Sequence, residues 1–216
     1  MTRPDLVIFD CDGVLVDSEP ITNRLLRDDL AMRGLDLSLR DVMSLAVGGT
    51  MRGVAARATK MGAEIPDDWV SGFYEIMYAA LAEGTPLIDG VSAVLDQLDQ
   101  ADIPYCVGSN GSLEKMTITL GQHPSVFARL QGRMFSAHEH GTAKPDPDLY
   151  LIAARSYGIP PDRCAVIEDS PAGCTAARAA GMPCYGLAEH GDGARLAAMG
   201  AMVFHRMGKL PGLLGL

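Results

Sequence analysis

Short apolar runs that do not alternate, each running into polar residues, constrain this chain more than any other feature. The first is Leu6-Val7-Ile8-Phe9, which stops at Asp10. Others cover Pro104 to Gly108, Cys164 to Ile167 and Pro183 to Leu187, with a weaker one at Ala201 to Phe204. A strand with one wet face alternates apolar and polar residues, whereas a strand covered on both faces does not. These runs, rich in strand formers, therefore read as buried parallel strands. Helical patterns separate them at Gly90 to Gln100, Ser112 to Leu120, Asp146 to Tyr157 and Pro171 to Ala180. Pro147 and Pro171 sit near helix starts, where a missing N–H costs little. Strand–helix alternation predicts an α/β fold, a doubly wound parallel sheet with helices on both faces.

The alternation breaks between Ser18 and Thr85, which reads as consecutive helices without a strand: Pro20 to Arg33, Leu39 to Leu45, Met51 to Met61 and Asp67 to Leu81. Asp36-Leu-Ser and Glu64-Ile-Pro-Asp supply caps and breaks. One strand, a helical block, then the alternation is the pattern of an inserted domain. The expected division is a core of residues 1–17 and 86–216 and an α-helical domain of residues 18–85. The apolar, Gly-rich Leu210 to Leu216 reads as a docked tail or an oligomer contact, so a monomer and a homodimer are both open.

Charge narrows the partners. The formal net charge is −9, with no Lys/Arg-rich run, so nucleic acid is disfavoured as a ligand. An anionic substrate would need local positive charge from a metal or a placed lysine. No apolar stretch approaches the length of a membrane span, and no leader is evident. Five scattered cysteines without CxxC spacing suit reduced thiols and a cytoplasmic location better than disulfides or zinc. Cys11, beside Asp10, is expected to pack into the core.

Parallel sheets present ligand groups at the C-terminal ends of their strands. After the first run come Asp10-Cys11-Asp12-Gly13-Val14, after the second Ser109-Asn110-Gly111, and after the third Glu168-Asp169-Ser170; Lys144 stands alone in Ala143-Lys144-Pro145-Asp146. This set suits phosphoryl transfer. Asp10 is ionised at neutral pH and needs no base to attack phosphorus. Mg²⁺ takes hard oxygen ligands such as Asp10 and Asp169, with a backbone carbonyl nearby. Ser109 and Lys144 would bond the equatorial phosphate oxygens, and Asp12 would pass the proton to and from the leaving group and water.

The four runs Asp10-Cys-Asp12-Gly-Val, Ser109-Asn110-Gly, Lys144-Pro-Asp and Glu168-Asp169-Ser-Pro-Ala-Gly173, in that order, resemble the motifs of the haloacid dehalogenase superfamily, in its helical-cap subclass. The resemblance spans nearly the whole chain. It implies a phosphatase acting on a small phosphorylated metabolite through an aspartyl phosphate. Asp10 would be the nucleophile and a metal ligand, and Asp12 the acid/base that also lends its carbonyl to the metal. Ser109, Asn110 and Lys144 would bind phosphate, Glu168 and Asp169 would complete a Mg²⁺ site, and residues 18–85 would be a mobile cap.

Departures from the pattern narrow the branch. Asp12 argues against the dehalogenases, which lack an aspartate two residues after the nucleophile. The β-phosphoglucomutase branch carries a cap histidine, where Pro20-Ile-Thr22-Asn has none, and an arginine directly after its Gly-x-Ser/Thr, where Met51 stands before Arg52. Lys60, the only lysine between residues 18 and 85, lies in a helical pattern and does not suit a phosphonatase Schiff base. Val107 to Met116 looks most similar to 6-phosphogluconate phosphatases; phosphoglycolate phosphatases share the subclass. A mutase and a phosphate-binding regulator on the same fold are the alternatives. Gly48, Gly49 and Thr50 read either as a helix cap or as a substrate loop, and Arg52 either as a substrate contact or as a helix-surface residue. His138 and His140 read as surface histidines.

Overall fold

A computed structural model describes residues 3–46 and 50–216. The chain divides into two compact units, Met1–Asp17 with Pro86–Leu216, and Ser18–Thr85.

The first unit is built on six parallel strands: β1 Leu6–Phe9, β2 Tyr105–Ser109, β3 Met134–Ser136, β4 Cys164–Glu168, β5 Cys184–Leu187 and β6 Met202–Phe204. Their order across the sheet is β3-β2-β1-β4-β5-β6. The strand β1 is central, with Ile8 facing Cys106 on one side and Val166 on the other. Its four residues are at most 1% exposed, and alternation of side chains across the pleat explains why all four are apolar. Val7 and Phe9 join Tyr105, Val107, Leu95 and Leu98 on one face, while Leu6 and Ile8 join Cys106, Tyr150, Val166 and Cys174 on the other. Each such side chain contributes roughly 1.5–3 kcal/mol by leaving water. The short edge strand β3 carries too few residues to stand out in sequence.

Twelve helices among the described residues complete the chain. Those of the second unit are α1 Glu19–Met32, α2 Leu39–Ala46, α3 Met51–Lys60 and α4 Trp69–Glu83; the first unit carries α5 Val91–Gln100, α6 Leu113–Gly121, α7 Pro124–Leu130, α8 Ala137–His140, α9 Asp148–Tyr157, α10 Pro171–Ala179, α11 Ala194–Ala198 and α12 Leu210–Leu214. The apolar C-terminal stretch docks as α12, with Leu210 and Leu214 buried in the first core. Cys11 is buried in the same core, and all five cysteines are free and buried.

The second unit closes on its own core. Trp69, Phe73, Met77 and Leu81 form a buried stripe at four-residue spacing on α4, as an amphipathic helix requires; Leu26 and Leu30 on α1 and Val54 and Ala58 on α3 are also buried. Asp29 is buried among them and accepts from the Trp69 indole N–H at 2.5 Å and from Arg33 at 2.8 and 3.2 Å, so its charge is met by a cation and a donor. The Arg57 guanidinium donates to the Leu45 carbonyl near the end of α2 at 2.7 and 3.0 Å. Where the chain leaves the first unit and returns to it, the Asp17 N–H donates to the Pro86 carbonyl at 2.9 Å and Val16 bridges Leu87.

Candidate active site

The C-terminal ends of β1, β2 and β4 and the loop before α9 bring the chemistry-bearing residues together. Asp10 follows β1 directly, and its N–H donates to the Ile167 carbonyl at 2.9 Å, which fixes it beside β4. Lys144 is 7% exposed, and its Nζ donates at 2.6 Å both to Asp10 Oδ1 and to Glu168 Oε1. The ammonium also stands 5.0 Å from the centroid of the Tyr150 ring. The Lys144–Pro145 peptide is cis.

Glu168 is fully buried at the end of β4. Its Oε1 accepts from Lys144 and from the Tyr150 hydroxyl at 2.8 Å, and its Oε2 accepts from the Asp169 N–H at 3.0 Å, the Ser170 N–H at 2.9 Å and the Ser170 hydroxyl at 2.8 Å. Five donors on two oxygens satisfy the buried charge. The same Ser170 hydroxyl accepts from the Gly173 N–H and caps α10. One oxygen each from Asp10, Glu168 and Asp169 lie within 4.8 Å of one another, a hard donor set of the kind a small divalent cation takes. Gly13, at φ 77°, permits this: a Cβ there would stand 2.0 Å from Asp169 Oδ2.

Electrostatics follow from burial and proximity. Against the expectation of a fully ionised Asp10 at neutral pH, burial pushes its carboxyl up to about 7; Lys144 opposes the rise, and the charges of Glu168 and Asp12 add to it. Burial works against ionisation of Glu168 as well, but Lys144, the Ser170 N–H and the Tyr150 hydroxyl overcome it and hold its pKa below the ordinary value. Lys144 is raised despite its burial, because Asp10 and Glu168 face it.

Ser109 ends β2, is 2% exposed, and accepts from the Gly111 N–H at 2.9 Å. Asn110, expected to bind phosphate, grips the backbone of Lys144. Its Oδ1 accepts from the Lys144 N–H at 2.8 Å and its Nδ2 donates to the Lys144 carbonyl at 3.3 Å. It pins the lysine loop to the loop after β2. Asp12, whose backbone bridges Val16, carries an ion pair absent from the sequence-based expectations, Lys115 Nζ to Oδ1 at 2.8 Å. The signal for Lys115 was its place three residues after Ser112, which caps α6 by accepting from the Lys115 N–H. Tyr150 was masked by its resemblance to an ordinary core aromatic on α9.

Of the substrate-loop candidates, Gly48 and Gly49 lie outside the described residues. Thr50 caps α3, accepting from the Gly53 N–H at 3.2 Å, and Arg52 is exposed on that helix. His138 and His140 are exposed on α8. A surface cleft lined by Arg3, Pro4, Asp162 and Arg163 opens at the opposite, N-terminal edge of the sheet and holds none of these groups.

Comparison with known proteins gives this geometry its relatives. A family model described as haloacid dehalogenase-like hydrolase matches residues 4–181. A CbbY-like protein of Arabidopsis thaliana is 30% identical over 85% of the chain, which spans 63% of that protein's length. Hexitol phosphatase A of Escherichia coli is 29% identical, with 81% of this chain and 78% of that protein covered. Among solved structures, a hydrolase of the same family from Deinococcus radiodurans, crystallised with bound phosphate and sodium, superposes with a TM-score of 0.83 at 32% identity, covering 100% of this chain and 96% of that one. The chain belongs to the haloacid dehalogenase-like hydrolase family.

Proposed function

We propose that this protein is a phosphatase that hydrolyses a small phosphorylated metabolite, a sugar phosphate or sugar-acid phosphate, with Asp10 as nucleophile. The observation that carries the reading is Lys144 clamped between Asp10 and Glu168 at 2.6 Å, with Asp169 closing the carboxylate cluster. A buried ammonium beside an aspartate offers a phosphoryl group both a nucleophile and a counter-charge.

Asp10 attacks phosphorus, and the aspartyl phosphate forms on its carboxylate. Ser109 and Lys144 bond the phosphoryl oxygens. Asp12 protonates the leaving oxygen, then takes a proton from the water that hydrolyses the intermediate. Asp10, Asp169 and the Asp12 carbonyl suit Mg²⁺, bordered by Glu168, whose own oxygens are shared with Lys144, Tyr150 and the Ser170 loop. Bound there, Mg²⁺ would supply charge that offsets repulsion between Asp10 and the incoming phosphate. Asn110 contributes by holding the Lys144 backbone. Residues 18–85 serve as the specificity unit, with Thr50 and Arg52 at the start of α3 as candidate substrate contacts. No helix among the described residues is long and apolar enough to cross a membrane, and the five free cysteines suit a reducing compartment such as the cytoplasm.

The test is phosphate release from a panel of sugar phosphates, sugar-acid phosphates and phosphoglycolate, with Mg²⁺ or with EDTA, and with Asp10→Asn as control. Turnover of at least one ester that needs both Mg²⁺ and Asp10 is expected. Absence of turnover on every ester, together with no beryllofluoride adduct, would sink the reading. An arm that follows hexose 1-phosphate isomerisation separates a mutase, and no isomerisation is expected.

A further inference from the structure

We propose that Lys115 is a positioning residue of the reaction: its ammonium fixes the plane of the Asp12 carboxylate, so that the acid/base meets the leaving oxygen in a productive geometry. This rests on the phosphatase reading above. Three features of the structure carry it.

The first is the contact itself. Lys115 Nζ lies 2.8 Å from Asp12 Oδ1, with 15% and 24% of the two side chains exposed. Both side chains are only partly wetted, so the pair is held more firmly than a solvated surface pair, whose contribution to stability is small. What it adds is a direction for the carboxylate. Proton transfer depends on that direction, since small misplacements of a reacting group cost large factors in rate.

The second is where the lysine stands. Ser112 caps α6 and accepts from the Lys115 N–H at 3.1 Å, which puts Lys115 in the first turn. A cation there opposes the helix dipole, which favours acids at this end; Glu114, one place earlier, is the residue that suits the dipole. The helix gains nothing from a lysine at this position, so the contact to Asp12 is what the position provides. A local rule broken beside a reactive group is the usual sign of a functional constraint.

The third is Gly111. A Cβ there would stand 3.5 Å from Lys115 Cδ and 3.6 Å from Asp12 Oδ2, and 3.3 Å from Ser109 Oγ. Its carbonyl accepts from the Ser136 hydroxyl at 2.8 Å, which anchors the loop. The distances to Lys115 and Asp12 are ordinary van der Waals contact, so the anchored loop places the pair directly beside Ser109.

A double-mutant cycle tests the assignment. Lys115→Met is expected to lower kcat by about ten- to a hundred-fold while KM stays within about three-fold, and Lys115→Arg should recover part of the loss. In an Asp12→Asn background the same Lys115→Met change should alter kcat by less than about two-fold, because a residue that acts through Asp12 has nothing left to act on. Equal losses in both backgrounds would overturn the proposal and make Lys115 a direct substrate contact, as would a rise in KM with kcat unchanged. Should Lys115→Met fail to fold by thermal melting, Lys115→Gln takes its place in the same cycle. If the wild-type protein shows no Asp10-dependent turnover, the phosphatase reading fails instead; additive losses in an active enzyme overturn only the role of Lys115.

Discussion

Asp10 shows how one residue can be both the most useful and among the least comfortable in the chain. It is 8% exposed, it faces Glu168 and Asp12, and its carboxyl titrates near 7 rather than at its ordinary value of 3.8. A raised folded-state pKa means that the folded chain binds the proton more tightly than the unfolded one. Stability from this group is therefore present in acid and lost as pH rises from about 4 to about 7. In metal-free protein, Asp10→Asn should raise the melting temperature at pH 7.5, and the difference should shrink toward pH 4, while the variant turns over no ester. Catalytic carboxylates commonly oppose stability in this way. Asp12→Asn keeps the shape and removes the proposed proton carrier, so kcat should fall by about 10²- to 10⁴-fold, measured on an ester with a poor leaving group.

At the scale of elements, the site depends on how α10 meets β4. Gly173 lies in the first turn of α10, where alanine would ordinarily favour the helix by about 1 kcal/mol. Here an added Cβ would stand 1.7 Å from Glu168 Oε1 and 2.4 Å from Oε2, and the carboxylate cannot turn away without giving up its five donors. Gly173→Ala should therefore reverse the usual sign, costing about 1–3 kcal/mol in urea unfolding and lowering turnover by displacing Glu168 from Lys144. A gain in stability with turnover intact would contradict the packing described. The helix α6 shows the same dependence of site on element: Ser112, its cap, sets where Lys115 begins.

At the scale of the molecule, two units with separate cores share one chain, joined where Asp17 and Pro86 pair. The sheet unit buries tyrosines and cysteines whose ionisation the fold resists. Burial, aided by a hydrogen bond to Asp99, lifts Tyr105 from 10.0 to about 12, and burial lifts Cys164 from 9.0 to about 11. The neutral forms are favoured in the fold, so this stability is intact below pH about 9 and is lost progressively between about 9 and 12, as the unfolded chain ionises first. Melting temperatures should fall across that window, and Tyr105→Phe should flatten the slope even though it loses the Asp99 bond. The α/β class, the helical block at residues 18–85 and five of the six strands were legible because each strand's apolar run and each helix's period is a local pattern. The sixth, β3, was not: three residues at a sheet edge leave no period to read.

By itself, the sequence determined the parallel sheet, the residues at its strand ends, Asp10, Asp12, Ser109, Glu168 and Asp169, and the lone Lys144 in the loop before α9. Short motifs and buried runs are local, and a parallel sheet brings strand ends to one edge whatever the loops do. Only the tertiary structure decided who touches whom there. It set Asn110 on the Lys144 backbone, gave Glu168 a tyrosine partner from α9, and brought Lys115 to Asp12 across a glycine loop. The Tyr150–Glu168 and Asn110–Lys144 pairs span 18 and 34 residues of chain and the Lys115–Asp12 pair more still, and no pattern in the sequence encodes a distance closed by folding.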